Sequence, residues 1–163
     1  VTARRIFCLV ALSPAVLLVW LFYVLPAWAL GAFEQIGWIR TDFGWAVLFR
    51  ISSGRGWLYS KWRDWRGWSG PAVEVIRWEG QTSATFSRTL RHEIVHLDQQ
   101  FRWGLAFYPA YLLASLWIWL FQRKKHAYLD NPFERVARAW AGQPVDIPRE
   151  DWPQGPGDRW PWW

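Results

Sequence analysis

The feature that most constrains this chain is an uncharged stretch of 28 residues, Ile6 to Phe33, preceded by Arg4 and Arg5. As a helix it would extend about 42 Å, enough to cross a hydrocarbon core of ~30 Å with some tilt. Pro14 and Pro26 would kink it, which lipid-embedded helices tolerate better than soluble ones. Ala27-Trp28-Ala29 has the small-x-small form of a signal cleavage site. The length of the run and its Trp20, Phe22 and Tyr23 favour a retained segment instead. Residues 1–33 are therefore read as an N-terminal membrane anchor.

Composition agrees with a membrane setting. Seventeen tryptophans stand among 163 residues, and the net charge is +6. Indoles on this scale belong at membrane–water interfaces. A hydrophobic share of 52% excludes a disordered charged tail protein. Cys8 is the sole cysteine, which excludes a disulfide framework and cysteine-based zinc sites.

Beyond the anchor, residues 34–141 form the body and 142–163, rich in Pro, Gly and Trp, an irregular tail. Gly44–Ile51 reads as a strand and Ser52–Gly56 as a loop. In Lys61-Trp62-Arg63-Asp64-Trp65-Arg66-Gly67-Trp68, basic and aromatic residues interleave. That pattern fits either a stacking platform for single-stranded nucleic acid or a loop at lipid headgroups. Beside a membrane segment the lipid partner is favoured over nucleic acid. Residues 73–79 alternate as a strand does, Gly80 and Gln81 make a turn, and Ser87 would cap the helix that follows. Leu90, Ile94, Leu97 and Phe101 form one helical stripe, with Gly104 as the stop after Trp103. Leu105–Phe121 is a second uncharged run, 17 residues long and containing Pro109, closed by Arg123-Lys124-Lys125. It would reach only about 26 Å as a helix. A short helix over Asn131–Ala141 ends the body.

The chemistry lies in His92-Glu93-Ile94-Val95-His96. Residues four apart share a helix face, so both imidazoles enter the same space. Two neutral imidazoles suit Zn²⁺, and the intervening Glu can take a proton from an activated water. With three His and six Glu in the chain, random placement yields roughly 0.002 such matches. His92, His96, Gln99 and Trp103 lie about 200° from the Leu90 stripe. The apolar face is expected to sit on the core and the histidine face to look into a cleft.

A catalytic zinc needs a third protein ligand. The downstream candidates are His126, Asp130 and Glu134. Glu134 also fits a purely structural role. With Asn131 as N-cap and Pro132 in the first turn it completes a helix-start signature, and it could pair with Arg138 four residues on. Spacing leaves Glu134 and His126 nearly even.

The run from Thr89 to Gln99, the aromatic Phe107-Tyr108-Pro109-Ala110-Tyr111 and the segment Ala127-Tyr128-Leu129-Asp130-Asn131-Pro132-Phe133-Glu134 together resemble small bacterial zinc peptidases of gluzincin type. The similarity covers about residues 72–141. It implies zinc held by His92, His96 and Glu134, with Glu93 as general base. One departure stands out: such enzymes often carry Asp four residues after the ligand Glu, where this chain has Arg138. Tyr128 and His126 are the candidates for an oxyanion or substrate contact.

The third ligand constrains topology. If Leu105–Phe121 crossed the bilayer once, His96 and Glu134 would lie on opposite sides. A Glu134 ligand therefore requires a kinked, re-entrant or surface-lying hairpin. The expected architecture is α+β: a membrane helix, a small β-sheet, the histidine-bearing helix, an apolar hairpin or re-entrant segment and a short third-ligand helix. The strand around Val73–Trp78 is expected to precede the histidine-bearing helix in a small sheet whose edge could align an extended peptide. The expected function is a membrane-associated zinc metallopeptidase, single-pass or monotopic, acting on peptide or protein substrates. With 17 of the 19 basic residues after the anchor, the positive-inside rule leans towards a cytoplasmic catalytic side. The rival is a non-enzymatic, Trp-rich membrane-interacting protein in which the histidine helix is structural.

Overall fold

The computed structural model describes residues 14, 16–41, 45–51, 67–77, 82–148 and 150. The Ser52–Gly56 loop, the Gly80-Gln81 turn, Lys61–Arg66 and the end of the tail lie outside the described residues, as does most of the chain before Val16.

The described part of the first apolar run is a helix, α1, over Val16–Ala29. Pro26 has no N–H to give to the preceding turn, and the helix widens to a π-helical stretch over Trp20–Val24 just before it. The run does not stay helical to its end. Gly31, at φ 72°, turns the chain, and Phe33 opens strand β1 (Phe33–Arg40). Three further strands follow: β2 (Trp45–Ile51), β3 (Gly67–Gly70) and β4 (Val73–Ile76). The sheet order is β1-β2-β4-β3, with β2 and β4 parallel and the outer pairs antiparallel.

Alternation along β2 and β4 decides what each face meets. Val47, Phe49, Ile51, Val73 and Val75 join Val24 and Ala27 of α1 in one core. Burying such side chains contributes roughly 1.5–3 kcal/mol each. The other face receives the helix α2 (Ser83–Trp103), whose Leu97 and Phe101 pack with Ala46. Glu74, between the two valines of β4, necessarily points towards α2.

β4 precedes α2 as expected, and it is an interior strand of the small sheet. Parallel pairing with β2 closes one side of β4 and β3 closes the other. The edge nearest α2 is β3. Trp68, read within a headgroup or nucleic-acid loop, is instead a β3 residue whose ring meets Tyr23 of α1 edge-on, centroids 5.4 Å apart.

α2 begins earlier than Ser87. Thr82 is its N-cap, accepting a hydrogen bond from the Thr85 backbone N–H, and Ser87 lies inside the helix. Gly104 ends it, at φ 58°. A single 3-10 turn (Gly104–Ala106) leads into α3 (Phe107–Phe121), so the second apolar run is one helix and not a helical hairpin. Taken together, Ser83–Phe121 is long and apolar enough to cross a membrane by length and composition. The chain then returns without a helix. Asn131 donates to the Tyr111 carbonyl and to Ser115, halfway back along α3. Asn131 also caps α4 (Pro132–Ala141), accepting from the Phe133 N–H, with Pro132 in the first turn and left-handed Gly142 at its end. The α+β class is as expected.

Candidate metal centre

Helix α2 is covered on both faces. Its apolar side meets the sheet, and its histidine side meets α4, so His92 and His96 are buried. α4 runs antiparallel to α2: Gln99 reaches Phe133 at the start of α4, and His92 reaches Gln143 just beyond its end. That arrangement places Glu134 over the two rings.

The three residues converge. The Nε2 atoms of His92 and His96 are 3.1 Å apart. Glu134 Oε2 lies 3.3 Å from His92 Nε2, and its Oε1 lies 3.2 Å from His96 Nε2. Donors bound at 2.0–2.1 Å around a tetrahedral zinc stand about 3.3–3.4 Å apart, so this triangle has the size of one ligand face.

The outward ring atoms support the same conclusion. His96 Nδ1 is 2.8 Å from Gln99 Oε1, and the Gln99 amide N donates to the Phe133 carbonyl, which fixes the amide so that its oxygen faces the ring. His92 Nδ1 is 3.0 Å from Gln143 Oε1. An Nδ1–H on each ring leaves both Nε2 lone pairs aimed at each other and at a carboxylate. A bound cation would reconcile three such acceptors, and second-shell partners that fix the tautomer are characteristic of ligating histidines. Among the described residues, His92, His96 and Glu134 are the group that could hold a metal ion.

Burial alone would raise the Glu134 carboxyl; where the imidazoles carry protons on Nε2 instead, their hydrogen bonds and charges hold it well below the usual range. Tyr111 donates to Glu134 Oε1 at 2.7 Å. Glu134 stands in the first turn of α4, as the helix-start signature expects, but its oxygens face the histidines and no ion pair joins it to Arg138.

Glu93 is buried on the sheet side of the histidines. Ser69 of β3 lies 2.7 Å from Glu93 Oε2, 2.7 Å from Glu74 Oε2 and 2.9 Å from the Glu93 carbonyl. One hydroxyl hydrogen cannot serve three acceptors, so one carboxyl must carry a proton. Burial, and then the charge of Glu93, push Glu74 well above the usual carboxylate range. Protonated Glu74 donates to Ser69, and Ser69 donates to Glu93. Gly67 permits this approach, because a Cβ there would stand 2.8 Å from Glu93 Cγ and Oε1.

His126 is not brought to the centre. Its Nδ1 accepts the Tyr128 and Leu129 N–H groups of the return segment, and burial lowers its pKa. Asp130 is likewise occupied, bonding the His126 N–H and Arg135. Tyr128 stands at the centre: burial first, then the charges of Glu134, Tyr111 and Glu93, push its hydroxyl well above the ordinary value. The rest of Tyr128 reaches solvent, at 36% exposure.

Sequence reasoning missed Ser69, Glu74, Tyr111 and Gln143. Gln143 had been assigned to the irregular tail, yet it is buried against His92. The signal that could have found Glu74 is its charge at the centre of an otherwise apolar strand.

No protein-family model, curated protein or solved structure matches the chain, so the gluzincin likeness rests on motif spacing alone.

Proposed function

We propose that this chain is a membrane-associated zinc metallopeptidase, with His92, His96 and Glu134 as ligands and Glu93 as general base. The observation that carries the proposal is the buried triangle of two Nε2 atoms and one carboxylate, with Glu93, held by Ser69, one residue from the first histidine. Zinc bound there supplies Lewis acidity for the scissile carbonyl and lowers the pKa of water towards neutrality. Glu93, fixed by Ser69, accepts the water proton and returns it to the leaving amine. The Tyr128 hydroxyl, kept protonated by its surroundings, donates to the oxygen on which negative charge develops. Strand β3 is the sheet edge beside Glu93, and an extended peptide can pair with it.

Membrane association is supported by α1 and α3. Leu18, Phe22, Leu112, Leu113 and Trp119 are exposed, and Arg123-Lys124-Lys125 follows the tip of α3. Because Glu134 lies beside His96, α3 enters one leaflet as a monotopic element and does not carry Glu134 across.

The test is E93Q in detergent-solubilised protein with a mixed peptide library. Zinc retained near one per chain with hydrolysis abolished supports the proposal. Hydrolysis unchanged in E93Q refutes it.

A further inference from the structure

Arg138 is the residue that the centre leaves unexplained. It lies one helical turn after Glu134, on the same buried face of α4 as Glu134, Ala137 and Ala141. It is 3% exposed, yet Nε, Nη1 and Nη2 all lack a hydrogen-bond partner among the described residues. A buried guanidinium with no partner is among the costliest arrangements a core can hold. Its acidic neighbours are already engaged. Glu134 serves the two histidines and Tyr111, while Asp130 serves the His126 N–H and Arg135. The charge of Arg138 nevertheless acts on Glu134, Tyr128, Tyr111 and Asp130, so the guanidinium stands within electrostatic range of the centre.

We propose that Arg138 binds the free α-carboxylate of a peptide's C-terminal residue, so that the centre removes residues from carboxyl ends. This rests on the zinc-peptidase function proposed above. Side chains one helical turn apart are separated by about 5–6 Å at Cβ, and consecutive residues of an extended peptide by about 3.8 Å at Cα. A carboxylate one residue beyond the scissile carbonyl therefore falls within reach of the fork while the carbonyl lies at the Glu134 end. A guanidinium presents parallel N–H donors that match a planar carboxylate in two bonds. Substrates with a blocked terminus leave the guanidinium buried and unpaired, which is the penalty that generates discrimination.

The experiment uses full-length, zinc-loaded protein in detergent and two substrates that differ only in the terminus, a peptide acid and its C-terminal amide. The expected result is about 100-fold higher kcat/KM for the acid. In R138Q that ratio collapses towards one, and R138K, which keeps the charge but not the fork, gives an intermediate ratio. A second measurement needs no arginine variant: E93Q protein is titrated calorimetrically with N-acetyl-phenylalanine, with its amide and with inorganic phosphate. Tighter binding of the acid than the amide supports the subsite. Tighter binding of phosphate than of the acid overturns it in favour of a phosphate site. Equal cleavage of acid and amide by the wild type, with equal binding to E93Q, overturns the subsite but leaves the peptidase standing. Preferential acid binding with no hydrolysis of either substrate keeps the subsite and refutes the peptidase.

Discussion

Glu74 gives a prediction that needs no substrate. The residue is fully buried, its Oε1 has no partner, and its Oε2 shares Ser69 with Glu93. The folded protein therefore holds its carboxyl protonated well above the ordinary value near 4.5. Above that value the unfolded chain releases the proton and the folded chain does not. The folded state then binds more protons, and stability falls as pH rises until the folded pKa is reached. The slope approaches about 1.4 kcal/mol per pH unit wherever the unfolded carboxyl is ionised and the folded one is not. Glu134 has the opposite sign. Its depressed pKa gives stability that is fully present above about 4.5 and is lost only in stronger acid. E74Q keeps a donor for Ser69 and removes the titration. Urea unfolding of wild type and E74Q in detergent with a chelator, at pH 5, 6 and 7, isolates the effect as a difference. E74Q should gain on the wild type at each step. Parallel curves would refute the protonated Glu74 and, with it, the Ser69 bridge that orients Glu93.

Other consequences can be tested together. G67A drives a methyl into Glu93, so hydrolysis should fall about 100-fold while zinc content stays unchanged; loss of zinc instead would mean that β3 supports the ligands themselves. Q99L removes the acceptor on His96 Nδ1 and should weaken zinc binding about 10–100-fold, read by competition with a chromogenic chelator. L113E combined with L116E places two carboxylates on the exposed face of α3 and should release the protein from liposomes in a flotation assay, with no change in zinc content.

Parts of this molecule were legible because local rules settle them. His92, Glu93 and His96 share their spacing with the helical period, and Asn131-Pro132 and Gly142 mark the ends of α4 whatever packs around it. Glu134 was readable as a candidate, but its choice over His126 needed the antiparallel packing of α2 and α4, which no local pattern encodes. β1 escaped notice because its alternation is interrupted by a register shift between Gln35 and Gly37. β3 is four residues long and sits at the end of a basic, Trp-rich segment whose composition suggests a loop. The helix start moved from Ser87 to Thr82 because either residue type can cap, and tertiary packing selects between them. Gln143 and Ser69 reach the centre across separations of 51 and 24 residues, distances at which sequence periodicity carries no information.

The central claim is that His92, His96 and Glu134 hold one zinc ion. Elemental analysis of purified wild type, H96A and E134A, each verified as folded by circular dichroism, tests it most directly. Zinc near one per chain in the wild type, lost in both variants, is the result predicted here. Zinc retained in E134A, or iron in place of zinc in the wild type, would contradict it.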